Sequence, residues 1–283
     1  MDPARTFIEK IQNLPSPSPV LQRINSAMSD EESSAFDIVE ALKLDPAIVS
    51  RVLRLANSAY IGIPRTVSSL QNAVVLLGQK RIRALVMSAS VLTSFRIGKF
   101  ASFSLEDYWR HSTTVGMIAE SIARHLRRYD TIVPDEVFAA AIMHDIGKLV
   151  LAGYDPVKMT ESVSNAIRGK VPYYQAENGE FAHTRIGAQL AGRWLFPSDI
   201  TGVIEFHHNP SAAELFSRQV SIVHVSDIMA HTVGFNLYRD EVAPRLDEKA
   251  LEAVPLPLER LKVIAQDILD KEKELEALIG FFL

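Results

Sequence analysis

The 283-residue chain contains no cysteine. That absence excludes disulfide staples, thiolate zinc sites and cysteine nucleophiles together, and it fits a reducing compartment. Any metal must therefore be held by histidine, aspartate or glutamate. An excess of charge of one sign is also lacking. The formal charge is −4, too small to draw nucleic acid or an anionic membrane without a local patch. Two basic clusters, Lys80, Arg81 and Arg83 and then Arg124, Arg127 and Arg128, read as solvated helix faces rather than as a nucleic-acid footprint. The N-terminus has no basic-then-apolar leader, and no uninterrupted apolar run approaches the ~18 residues of a membrane span. A cytoplasmic protein without a membrane partner is expected. Strand-length alternation of apolar and polar residues is scarce, and neither an internal repeat nor a low-complexity linker is present.

What is there is an ordinary globular balance, 47% hydrophobic and 23% charged, in a chain long enough to bury roughly 75% of its unfolded surface. Helix punctuation dominates. Ser18-Pro19 and Asp45-Pro46 each join a capping side chain to a proline at the first helical position, where a missing N–H costs nothing. Ser68 with Gln71 has the form of a capping box ahead of Ala73, Val74, Val75, Leu76 and Leu77, and Gly78 stops the run. About five short helices are expected between Pro19 and about Phe100, with Leu42, Leu44, Ile48, Val52, Leu53 and Leu55 in the core. Near the end, Leu258, Leu261, Ile264, Ile268, Leu275 and Ile279 form a helical stripe over about six turns, which needs cover from this chain or from a second copy in a homodimer. The expected fold is an all-α, multi-helix bundle. It divides into a smaller N-terminal helical half, residues 1–104, a second helical domain, residues 105–240, and a C-terminal helical extension, residues 241–283. The first border, near Arg96 to Leu105, rests on a change of character alone.

All eight histidines follow Leu105. The pair His144-Asp145 closes the apolar run Val137 to Met143 and leads into Ile146, Gly147 and Lys148. Imidazole nitrogen and carboxylate oxygen both bind borderline divalent metals, and a shared ion removes the desolvation penalty of burying them alone. A His-Asp pair hydrogen-bonded at a helix end is the plainer alternative, so the company it keeps decides. His111 repeats at helical spacing with Val115, Ile118, Ile122 and Leu126, and His183 with Ile186, Leu190 and Trp194; both imidazoles point inward. His207 and His208 follow Val203, Ile204 and Phe206 and precede Asn209-Pro210, which places them at a helix C-terminus. Asp227 falls on the stripe of Val220, Val223 and Ala230, flanked by His224 and His231. Separately buried, these groups would each carry about 1–3 kcal/mol of uncompensated desolvation; meeting at a common ion relieves it. His111 and His144, 33 residues apart, would be about 50 Å apart along one helix, so the chain must turn between them, at Arg127 to Pro134.

His111, then His144-Asp145, then a distant Asp227 resembles the metal-binding pattern of the HD phosphohydrolase superfamily, all-helical proteins that hydrolyse phosphate esters with bound metals. His183, His207 and His208 resemble the extra ligands of its binuclear and trinuclear relatives. A nearer likeness is to the HDOD family of bacterial signalling proteins. It is carried by Leu14-Pro15, Leu44-Asp45-Pro46, Leu55-Ala56-Asn57-Ser58-Ala59-Tyr60, Val67-Ser68-Ser69-Leu70, Leu77-Gly78, Tyr108-Trp109-Arg110-His111-Ser112 and His207-His208-Asn209-Pro210. The resemblance covers Leu14 to Pro210, leaves the tail helix outside, and implies an HD-like character for residues 105–240.

The resemblance implies metal roles for His111, His144, Asp145, His183, His207, His208 and Asp227, and an acidic ligand position at Asp107. Lys148 matches a lysine that meets substrate phosphate in active relatives, so Asp145 and Lys148 are the catalytic candidates. One or two divalent ions are implied, iron or manganese ahead of zinc or nickel. Many HDOD proteins have lost the His-Asp pair and act as regulators; this chain keeps it. The HD-GYP relatives carry an acidic residue and a Gly-Tyr-Pro segment after their histidine pair, whereas here Asn209, Pro210, Ser211 and Ala212 follow His208. Cyclic dinucleotide hydrolysis is therefore not implied. Two functions remain: a signalling module acting through contacts with a protein partner, and a metal-dependent phosphohydrolase acting on a nucleotide or phosphate ester.

Overall fold

Proline and short polar side chains set the first helices. Ser18 Oγ accepts the Leu21 N–H at 3.2 Å ahead of α1 (Pro19–Met28). A Ser34–Asp37 capping box opens α2 (Ala35–Leu42), and Asp45 Oδ1 accepts the N–H groups of Ala47 and Ile48 ahead of α3 (Pro46–Ala56). The helix expected from Ser68 starts one residue later, because Ser69 Oγ takes the Asn72 N–H at the head of α4 (Leu70–Leu77). Gly78, at φ 83°, ends it in a conformation that side chains disfavour, and α5 (Gln79–Ser94) follows. Leu44, expected in the core, is 53% exposed: it lies in the turn out of α2, which carries it to the surface. Leu53 is only partly buried.

The computed structural model describes residues 16–28, 34–58, 61, 66–94, 102–127, 132–177, 179–238 and 241–282. Leu14, Pro15, Ala59, Tyr60, Arg96, Phe100 and Arg128 lie outside them, as does most of the turn expected between Arg127 and Pro134. No β-strand occurs among the described residues.

The second half is built on α6 (Leu105–Leu126), whose buried face includes His111, Val115, Ile118, Ile122 and Leu126. Then come α7 (Pro134–Met143), α8 (Ile146–Tyr154), α9 (Pro156–Gly169), the single turn α10 (Tyr173–Ala176), α11 (His183–Arg193), α12 (Ser198–Phe206) and α13 (Ser217–Thr232). Helix α6 packs against α7 and α13, α8 against α11, and α5 against α7. Pro134–Tyr154 is long and apolar enough to cross a membrane by length and composition; 89% of that window is buried inside the fold, and the turn at His144-Asp145 interrupts it. The basic clusters are largely paired with carboxylates, and of their described residues only Arg81 is buried. Lys80 bonds Glu136, buried Arg81 meets Glu120 and Asp135, and Arg124 returns to Glu120.

After α14 (Glu248–Ala253), the C-terminal stripe is two helices rather than one, α15 (Leu258–Leu269) and α16 (Glu272–Phe282). The break at Asp270-Lys271 turns α16 back onto α6, α5 and α3, while Leu258 is left 66% exposed. Trp109 stacks on Phe282 at 3.9 Å between centroids. Arg51 Nη1 donates to the carbonyls of Phe281 and Phe282 at 3.1 and 3.2 Å. The chain itself covers the rest of the stripe.

Candidate metal centre

Four of the five histidines expected at the site are fixed from outside through Nδ1. His111 Nδ1 bonds the Phe235 carbonyl at 2.8 Å, His144 Nδ1 that of Ala141 at 2.7 Å, and His207 Nδ1 that of Ile204 at 3.0 Å. His183 Nδ1 bonds Glu177 Oε2 at 2.7 Å, and the other Glu177 oxygen accepts the His183 backbone N–H at 3.0 Å. With these four Nδ1 atoms engaged, their Nε2 atoms turn inward, the arrangement in which outer partners set tautomer and direction for a metal ligand, whereas His208 offers a buried, unbonded Nδ1.

The helix ends converge because two of them touch through glycine. A side chain at Gly147, in the first turn of α8, would collide with the His183 carbonyl, and one at Gly187 would come within 2.7 Å of Ile204. Bare backbone at these positions lets α8 lie against α11 and sets His183 beside Asp145. Asp145 Oδ1 is 3.1 Å from His183 Nε2 and 3.6 Å from His207 Nε2. Its Oδ2 is 3.4 Å from His144 Nε2 and 3.8 Å from His111 Nε2. One carboxylate thus offers an oxygen to each of two sets, Asp145 with His183, His207 and His208, and His111 with His144 and Asp227, each set having its ligand atoms within 4.8 Å of one another.

The donor chemistry fits a metal. His111 Nε2, His144 Nε2, Asp145 Oδ1, His208 Nδ1 and Asp227 Oδ1 are buried with no hydrogen-bond partner. Asp145 Oδ1 and Asp227 Oδ1 have imidazole nitrogens 3.1 and 3.3 Å away, close but off the line a hydrogen bond needs. Ligands about 2.1 Å from one ion lie about 3.0–3.4 Å from each other. All seven expected side chains are present in this cluster. Asp107 is not: it is exposed, one turn before His111, and faces a surface groove.

Charge in the site is balanced internally. Burial would raise the Asp145 pKa, but Lys148 and His144 hold it well below the usual carboxylate range. Lys148 Nζ lies 2.6 Å from Asp145 Oδ2; burial works against its charge, and Asp145 prevails and raises its pKa. Burial opposes a proton on His183 too, yet Glu177 and Asp145 push its pKa up to about 9. His207, with no outer carboxylate, is driven by burial down to about 4. His208 stacks on Tyr174 at 4.3 Å, and burial, His207 and His183 lower its pKa well below 6.5.

The structure adds residues that periodicity does not reveal. Glu177 stands in the irregular stretch before α11, six residues ahead of His183. His231, one turn after Asp227 on α13, lies 3.3 Å from Asp227 Oδ1. His224, the other flanking histidine, is used up by the fold: its Nδ1 bonds the His207 carbonyl at 2.7 Å and its Nε2 accepts the Asp247 N–H at 3.0 Å.

An uncharacterised protein of Treponema pallidum (strain Nichols) is 24% identical over 223 residues, 78% of this chain and 42% of that protein. The chain therefore spans less than half the length of that curated relative. Among solved structures, a protein of Marinobacter aquaeolei VT8 provisionally assigned to signal transduction superposes with a TM-score of 0.84 at 19% identity, over 97% of this chain and 61% of that one. A protein of Shewanella amazonensis SB2B provisionally described as a phosphohydrolase gives 0.75 at 23% identity, over 99% and 98%. Both share the fold. The HDOD domain profile matches residues 14–210, well over half of the chain, and the chain belongs to the HDOD family.

Proposed function

We propose that the chain is a signalling module that acts through contacts with a protein partner, its metal centre serving to lock the helices that present those contacts. His111, His144, Asp145, His183, His207, His208 and Asp227 are the ligands in this reading, for one or two divalent ions. The observation that carries it is enclosure: His144, Asp145, His183 and His207 are 0% exposed and His111 and Asp227 1%. A substrate phosphate has to reach its metal, whereas a structural ion is best shut away from water. The Marinobacter aquaeolei VT8 protein, provisionally assigned to signal transduction, points the same way.

A phosphohydrolase is the second reading, favoured by the single carboxylate of Asp145 shared between two ligand sets and by Lys148 beside it. Bound metals would supply Lewis acidity at a phosphate ester. Lys148 would place a fixed positive charge near the phosphate, and His183 would keep the Asp145 side in register.

Purified protein, assayed for metal content and offered phosphodiesters, phosphomonoesters and nucleotides, separates the two. A metal-loaded chain without turnover, whose metal is lost in His144→Ala, is the expected result. Hydrolysis abolished by His144→Ala and Asp145→Ala would install the enzyme instead.

A further inference from the structure

A groove of about 690 Å³ opens between the start of α6, helix α9 and the Leu237-Tyr238 turn, within the ~300–1,000 Å³ range of small-molecule sites. Phe103, Val163, Ile167 and Leu237 give it an apolar wall. Its hydroxyls are partly spoken for: Ser104 Oγ accepts the Asp107 N–H, and Thr160 Oγ1 donates to the Pro156 carbonyl. One polar group is left over. The Asp107 carboxylate has no partner among the described residues, although neighbouring Glu106 is paired with Arg110 at 3.3 Å. Tyr238 is 7% exposed and adds ring surface to the wall, its hydroxyl being buried. No lysine, arginine or histidine is among the described lining residues.

A carboxylate without an ion-pair partner beside aromatic and aliphatic walls disfavours phosphates and carboxylates and suits a positive charge on an apolar body. We propose that this groove binds a small organic cation, an amine or guanidine carried on such a body, as the input of the signalling module; the word input rests on the function proposed above. An occupant would touch two elements that end in the metal centre. Asp107 stands one turn before His111 on α6, and Tyr238 packs on Tyr173 at 5.2 Å, which packs on His183 at 5.8 Å.

The probe is phenethylammonium, with phenethyl alcohol and hydrocinnamate as its neutral and anionic counterparts, titrated calorimetrically into the full chain with and without metal. The ammonium alone is expected to bind, about tenfold or more weakly to Asp107→Asn and not at all to Ile167→Trp, which fills the groove from an exposed position. Both variants should melt with the parent. Equal binding of all three probes, no ammonium binding at millimolar concentration, or undiminished binding to Asp107→Asn overturns the groove assignment, whatever the chain does to phosphate esters. Ammonium affinity that is the same with and without metal overturns the input role, and the binding result stands even if the module proves to be an enzyme.

Discussion

His183 Nε2 and His207 Nε2 face each other across 3.4 Å, although one imidazole opens α11 and the other closes α12. Two bare nitrogen lone pairs at that distance repel, so a proton or a metal has to lie between them. Without metal the proton belongs to His183, whose pKa is pushed up to about 9 by Glu177 and Asp145 against the effect of burial, while burial takes His207 down to about 4.

Metal binding at this pair must expel that proton, so acid favours the empty site. Apparent metal affinity is expected to rise by about tenfold per pH unit from about pH 6.5 to 9, where His183 is charged in the free protein, and then to level off. Competition with a chromophoric chelator across that range measures it. A flat profile would mean that His183 is not a ligand.

Glu177 works on His183 through its Nδ1, not through the metal. Glu177→Gln removes the charge and leaves one His183 N–H facing an amide NH2, so it should weaken metal binding about 10–100-fold and also lower the melting temperature of the metal-free protein. The same chelator titration decides it.

Gly147 is a point of backbone contact, so Gly147→Ala has no flexible neighbour to push aside: the obstacle is the carbonyl of His183. Separation of α8 from α11 should cost about 3 kcal/mol or more and lower metal content together with stability. Denaturant unfolding and elemental analysis of the variant, compared with Gly192→Ala at an uncrowded glycine, test the pairing of the two effects.

Phe282 is 2% exposed and stacked on Trp109. Phe282→Ala should destabilise the chain by about 3 kcal/mol. Because this contact lies within one chain, the loss should not depend on protein concentration. A melting temperature of the parent that climbs with concentration would instead point to stabilisation by a second copy.

Much of the site was legible because a histidine or carboxylate on an otherwise apolar stripe has few reasons to be there. His111, His183 and Asp227 were each placed inward by three-to-four-residue spacing, and the structure buries all three. Glu177 gave no such signal, since it lies in a segment without period and acts through a contact set by the chain's path. The tail failed differently. Apolar spacing runs across Asp270-Lys271 without interruption, so sequence shows a stripe where tertiary packing bends it. Leu44 had the right hydrophobicity for a core residue but sits in a turn. Asp107 was suggested by likeness alone, and its own surroundings turn it outward.

Pro210 closes the region matched by the family profile, yet Asp227 stands on α13 and Arg51 reaches forward to the carbonyls of Phe281 and Phe282. The boundary of ancestry and the boundary of the folding unit are therefore different lines. A fragment cut at the ancestral line would lack the Asp227 carboxylate of the candidate cage and would bare Trp109, so any transplant of this fold has to carry its last seventy-odd residues with it.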